Sequence, residues 1–263
     1  MSGRIIQHRA GGTKGKMKKS SSVLRKRKEM TSKERVTKEE ALDLYCMLRL
    51  RPSWRGYMHR IAFVSAPLWG WFLMSLAQHK ETVLSCTIFL FSLIGLFGAS
   101  SSYHRNEWTV SWERFMGRLD YSFIFFVVGF SFVPTYVALL PNVGWTVVGL
   151  LAITVILGVV LSFSNVKIGK HALVLVYIAQ AIVQLIPFVV GIDRASVYEQ
   201  LTGTERFMFY AMGVLYLVGS QVYANQWPSP SPKVFGYHEI WHLFIVLAAS
   251  CSYYINASVL MRV

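Results

Sequence analysis

Charge is scarce in this sequence. Asp, Glu, Lys and Arg make up 15% of its 263 residues, against roughly 25% in an ordinary soluble domain. Only 13 residues are acidic. Cysteine is rare too: Cys46, Cys86 and Cys251 stand far apart, with no CxxC pair. Neither a disulfide framework nor a thiolate metal site is expected. Stretches in which apolar and polar residues alternate are missing, which argues against a β-barrel. The chain consists largely of hydrocarbon-rich runs, 54% hydrophobic with a mean hydropathy of +0.41. That is too apolar for a disordered protein.

The charge that exists is lopsided. Residues 1–60 carry 17 Lys/Arg and 5 Asp/Glu, whereas 61–263 carry 10 and 8. A basic extension therefore precedes a nearly uncharged body. Seven apolar stretches of spanning length are expected, at about 61–78, 83–103, 119–140, 144–163, 171–191, 207–225 and 238–260. The expected fold is all-α, a seven-transmembrane helix bundle over 57–263. No cleaved secretory signal is expected, because the first apolar run is long enough to span and follows about sixty polar residues. Residues 1–36 read as a disordered cytoplasmic tail. Residues 37–56 read as a short amphipathic surface helix and linker, since Thr37-Lys38-Glu39-Glu40 has capping-box spacing. Basic residues favour the cytoplasmic side, so the N-terminus is expected inside and the C-terminus outside. The cluster Arg25-Lys26-Arg27-Lys28 suits anionic lipid headgroups at ~1 kcal/mol per residue. Without interleaved aromatics it is not expected to bind nucleic acid.

Ionisable groups at the ends of apolar stretches carry the functional information, because burying them in hydrocarbon is costly. His238 and His242 are four residues apart and share one helix face, forming half of a metal site. His104 could supply a third nitrogen. Three imidazoles with an open position suit a catalytic zinc, whose water has a pKa of about 7. Asp120 could then serve as general base, and Ser100 could orient the water or stabilise an oxyanion. Duller readings stand beside these. His59, His79 and His171 read as interfacial residues. Asp120 could pair with Arg114 or Arg118. Ser100 to Ser102, with Gly95, Gly98 and Ala99, could serve helix packing. His238 to His242 also spell HEIWH, an HExxH motif in which Glu239 would be a protease base. Only about twenty residues follow, with no further His, Asp or Glu among them.

Several segments together resemble the hemolysin III family, the microbial branch of the progestin and adipoQ receptor (PAQR) family. These are Arg51-Pro52-Ser53-Trp54-Arg55-Gly56 with His59, Ser100 to His104, Arg118 to Ser122, Ser131 to Pro134, and Phe235 to His242. Both branches fall in the CREST group of seven-span proteins regarded as hydrolases, which includes the alkaline ceramidases. The S-x3-H, D and H-x3-H parts, in that order, carry the likeness over about 51–260. The resemblance implies Zn2+ on His104, His238 and His242, with Asp120 near the zinc-bound water and Ser100 beside it. It also implies a lipid-admitting cavity and hydrolysis of a lipid amide such as ceramide. RGYMH stands where the receptor branch carries an acidic and an Asn residue ahead of its first-span His. No long extracellular tail follows the expected seventh span, so binding of a protein hormone is not expected. Two other functions remain open: a lipid sensor with structural zinc, and a pore-forming or lytic protein.

Overall fold

The computed structural model describes residues 51–263 except 167 and 192–194. The expected tail over 1–36 and the surface helix ahead of Arg51 lie outside the described residues. Among the described residues ten helices follow one another: α1 (Tyr57–Val64), α2 (Ala66–Leu76), α3 (Lys80–Arg105), α4 (Val110–Phe130), α5 (Val133–Leu139), α6 (Gly144–Phe163), α7 (Lys170–Val189), α8 (Val197–Gln200), α9 (Gly203–Asn225) and α10 (Tyr237–Leu260). Among the described residues there is no strand, only an isolated bridge between Ser231 and Phe235.

Among the described residues six stretches are long and apolar enough to cross a bilayer: Lys80–Arg105, Val110–Leu139, Gly144–Phe163, His171–Val189, Gly203–Asn225 and Tyr237–Leu260. The stretch expected over 61–78 is instead divided at Ser65 into α1 and the 11-residue α2. Pro67 has no N–H to give the carbonyl one turn back, so the helix breaks there. The Ala62 carbonyl accepts from Ser65 Oγ at 3.0 Å and Trp69 Nε1 at 3.1 Å. The third stretch begins at Val110, earlier than 119, because the charged segment around Glu113, Arg114 and Arg118 continues the helix. Met116, Gly117 and Asp120 form the buried face of that extension.

A second proline, Pro134, separates α4 from α5. The gap is filled from α10. Asn256 Nδ2 donates to the Ser131 carbonyl at 2.8 Å, while its Oδ1 accepts from Thr135 N at 3.1 Å and Thr135 Oγ1 at 2.7 Å. The Asn256 amide thus stands between a carbonyl and an N–H four residues apart, groups that bond directly in an unbroken helix. Glycines allow close approach elsewhere. A Cβ on Gly95 would stand 2.0 Å from Phe123, and one on Gly158 would stand 2.2 Å from Phe125, so α3 and α6 each lie tight against α4. One buried cluster joins α4 to α7, α9 and α10 around Phe132, Tyr136 and Phe188. A second joins α2, α3, α4 and α10 around Phe89, Leu93 and Ile245. The end of α3 and the starts of α1 and α10 meet at one end of the bundle.

Candidate metal centre

Residues 51–59 brace that end. Arg51 Nη1 donates to the carbonyls of His104 and, at 3.1 Å, Asn106, a cation on the exposed carbonyls that end α3. Arg55 Nε donates to Glu239 Oε1. The other oxygen of Glu239 accepts from Gly236 N at 2.8 Å, closing the first turn of α10, where a carboxylate suits the helix dipole. Gly56 takes φ 77° and leads into α1, and a Cβ there would stand 2.9 Å from that of His104. With both helix ends pinned, the 3.6-residue repeat puts His238 and His242 on the same face.

The structure brings His104, His238 and His242 together, with one ligand nitrogen from each within 4.8 Å of the other two. His104 Nε2 and His238 Nε2 are 3.2 Å apart. Tetrahedral zinc with Zn–N bonds of about 2.0–2.1 Å separates its nitrogens by roughly 3.3–3.4 Å. The His104–His238 pair is therefore already spaced as two ligands of one zinc ion would be, and the set is compatible with a metal. His104 and His242 are buried and His238 half-buried, which suits a site that keeps one ligand edge accessible.

Asp120 Oδ2 lies 3.7 Å from His104 Nε2. The Ser100 hydroxyl, one turn before His104 on α3, lies close enough to that carboxylate to interact with it. Arg114 donates to Val110 O, and Arg118 to Phe163 O at 2.8 Å and Asn165 Oδ1 at 3.2 Å. The basic neighbours expected to compete for Asp120 thus turn elsewhere. Beyond His238, the Tyr223 ring stands 5.6 Å away. Its hydroxyl meets that of Tyr121 at 3.3 Å.

One sequence reading needs correction. His59, expected at the interface, is 1% exposed and stacks on His242, with ring centroids 4.1 Å apart and planes 3° apart. Its nitrogens make no hydrogen bond of good geometry, and the His242 backbone lies alongside. His79 and His171 are exposed, as expected of interfacial residues. Glu239, the base of the protease reading, has both oxygens engaged and points into the Arg55 pair. Sequence reasoning also missed Arg51, Arg55 and Gly56 as the brace of this site. Their crowding in RPSWRG, beside the long apolar body, was the available signal.

Residues 48–253 match the haemolysin-III related family. The chain belongs to that family, and it is an integral, multipass membrane protein.

Proposed function

We propose, from its membership of the haemolysin-III related family and the meeting of three imidazoles, that this protein is a zinc-dependent hydrolase of a membrane lipid amide. The observation that carries the reading is the His104–His238–His242 cluster with a carboxylate 3.7 Å from one of its nitrogens. Zinc held there supplies a Lewis acid and brings a water to a pKa of about 7. Asp120 is the general base and takes up the proton at its carboxylate. Ser100 fixes the orientation of that carboxylate. The Tyr121–Tyr223 hydroxyl pair offers polar groups to the substrate's head. The engaged oxygens of Glu239 favour this reading over a protease.

In this reading α1 and α2 together form a seventh span, which puts the N-terminus in the cytoplasm and the C-terminus outside. The cluster end bears Arg51, Arg55, Arg105, Arg114 and Arg118, consistent with a cytoplasmic face. The basic tail binds anionic headgroups there.

The test is zinc analysis of purified protein, paired with release of fatty acid from ceramide. Wild type should carry zinc and release fatty acid. Asp120→Asn should keep the metal and lose most of the rate, about a hundredfold or more for a general base. His242→Ala should lose both. Zinc-loaded wild type that releases no fatty acid from any amide lipid would refute hydrolysis and leave a sensor with structural metal.

A further inference from the structure

Among the described residues, Gln180 Oε1, Gln184 Nε2 and the Tyr216 hydroxyl lie buried in the middle of the bundle without a hydrogen-bond partner of good geometry. Gln180 and Gln184 are 5% and 4% exposed. Both donors of the Gln180 amide are spent, on Phe125 O at 3.1 Å and Thr154 Oγ1 at 3.2 Å, so its oxygen is turned away from them. Gly129 makes room for that amide, since a Cβ there would stand 3.0 Å from Gln180 Nε2. Tyr216 lies beside Ser131, whose own hydroxyl donates to Val127 O. Bare polar atoms are costly here, because hydrocarbon offers them nothing.

All three lie between the same helices, α4, α7 and α9. Tyr177, Gln180 and Gln184 follow one another at three- and four-residue steps on one face of α7, and Tyr216 precedes Tyr223 by two turns on α9. Both stripes start at the metal-centre end. There Tyr177 OH donates to Tyr121 O at 3.3 Å, and the hydroxyls of Tyr121 and Tyr223 are 3.3 Å apart. At 1.5 Å per residue each stripe runs about 10 Å into the bundle. Beyond them α7 and α9 meet again at Phe188 and Phe209, stacked with ring centroids 4.6 Å apart. Phe132 of the α4–α5 junction packs on both, at 4.7 and 6.0 Å. The polar stretch thus reaches the neighbour of Asp120 at one end and is shut by three rings at the other.

We propose that a short file of ordered water stands between α4, α7 and α9, bridging Gln180, Gln184 and Tyr216 and ending at the tyrosine hydroxyls beside Asp120. Water suits these atoms because it donates to a bare amide oxygen and accepts from a bare N–H, and one molecule satisfies about two to four such neighbours. A hydrocarbon chain does neither. The three rings make the file blind on the Phe188 side, a store and not a pore. In the hydrolase reading each turnover consumes one water, and the file holds the next. That use rests on the metal-centre reading; the file itself does not.

Radiolytic footprinting of the full chain in lipid nanodiscs tests this, because hydroxyl radicals formed from trapped water oxidise the side chains beside it. Tyr177 and Tyr216 should react about tenfold faster than the plug residues Phe132 and Phe188, which no ordered water touches. Gln184→Met and Tyr216→Phe each delete a bare polar atom with little change of shape. Where water bridges the groups, each deletion strands the remaining partners and lowers the thermal midpoint; in a dry core it relieves a penalty and raises it. Both variants should therefore melt below wild type, and Gln184→Met should slow the oxidation of Tyr216. Tyr216 that reacts as slowly as Phe132, or a midpoint that holds or rises in either variant, would overturn the file. Zinc content measured on the same samples keeps the two readings apart. A file present in protein that binds no zinc would sink the metal centre alone, and a dry core in zinc-loaded protein would sink the file alone.

Discussion

At Glu239 the side chain is buried and holds Arg55 on one oxygen and the first turn of α10 on the other. Removing one partner of a buried ion pair costs about 3–5 kcal/mol, because the other charge is left stranded. Glu239→Gln should therefore lower the thermal midpoint of the purified protein and, where it folds, keep its zinc. The double change with Arg55→Met should recover much of the loss. A variant that unfolds like wild type but loses all hydrolysis would give Glu239 a chemical role and overturn this assignment. Residue by residue, the histidine cluster was legible: the i, i+4 imidazoles and the S-x3-H segment announce themselves by spacing. The brace was not. Arg55 and Glu239 are 184 positions apart, and no periodicity connects them. His59 looked ordinary because its burial depends on α10, which packs over it from the far end of the chain.

At the scale of elements, both proline breaks are visible as Pro67 and Pro134, yet the sequence does not say what fills them. Asn256 fills the second. In hydrocarbon no water is present to replace it, so Asn256→Leu leaves the Ser131 carbonyl and the Thr135 N–H and hydroxyl unpaired. At 1–3 kcal/mol for each stranded group, the expected cost is about 3 kcal/mol or more. Adding Pro134→Ala lets α4 run on and make its own bond, so the double variant should melt above the single. Melting curves in detergent would decide it, and equal midpoints would mean Asn256 is not a splice. The extension of α4 back to Val110 was missed for a different reason. Apolar runs mark hydrocarbon depth, whereas helices with Glu113 and Arg114 on their outer turns continue past it.

Across the whole molecule, the number of spans fixes where the ends lie. The helical, multipass body was legible from run length alone, because a membrane leaves few alternatives for a chain with so little charge. The first crossing was less clear, since its apolar run folds as two short helices. If α1 and α2 cross together, epitope tags on the two termini face opposite sides of the membrane. If they do not, the six remaining crossings put both on one side. In intact cells a tag after Val263 should bind antibody without permeabilisation and one before Met1 should require it. Matching behaviour of the two tags would overturn the seven-span arrangement.

His104 and His238 touch although they stand 134 positions apart. Synthesis runs from the first of these to the second through four membrane-length helices before the second imidazole exists. A half-made chain therefore exposes one histidine and one aspartate with nothing to bind. An ion held by this cluster would have to arrive late, after α10 has entered the bilayer and closed against α1. Any defect that delays that last insertion would leave the three imidazoles unassembled.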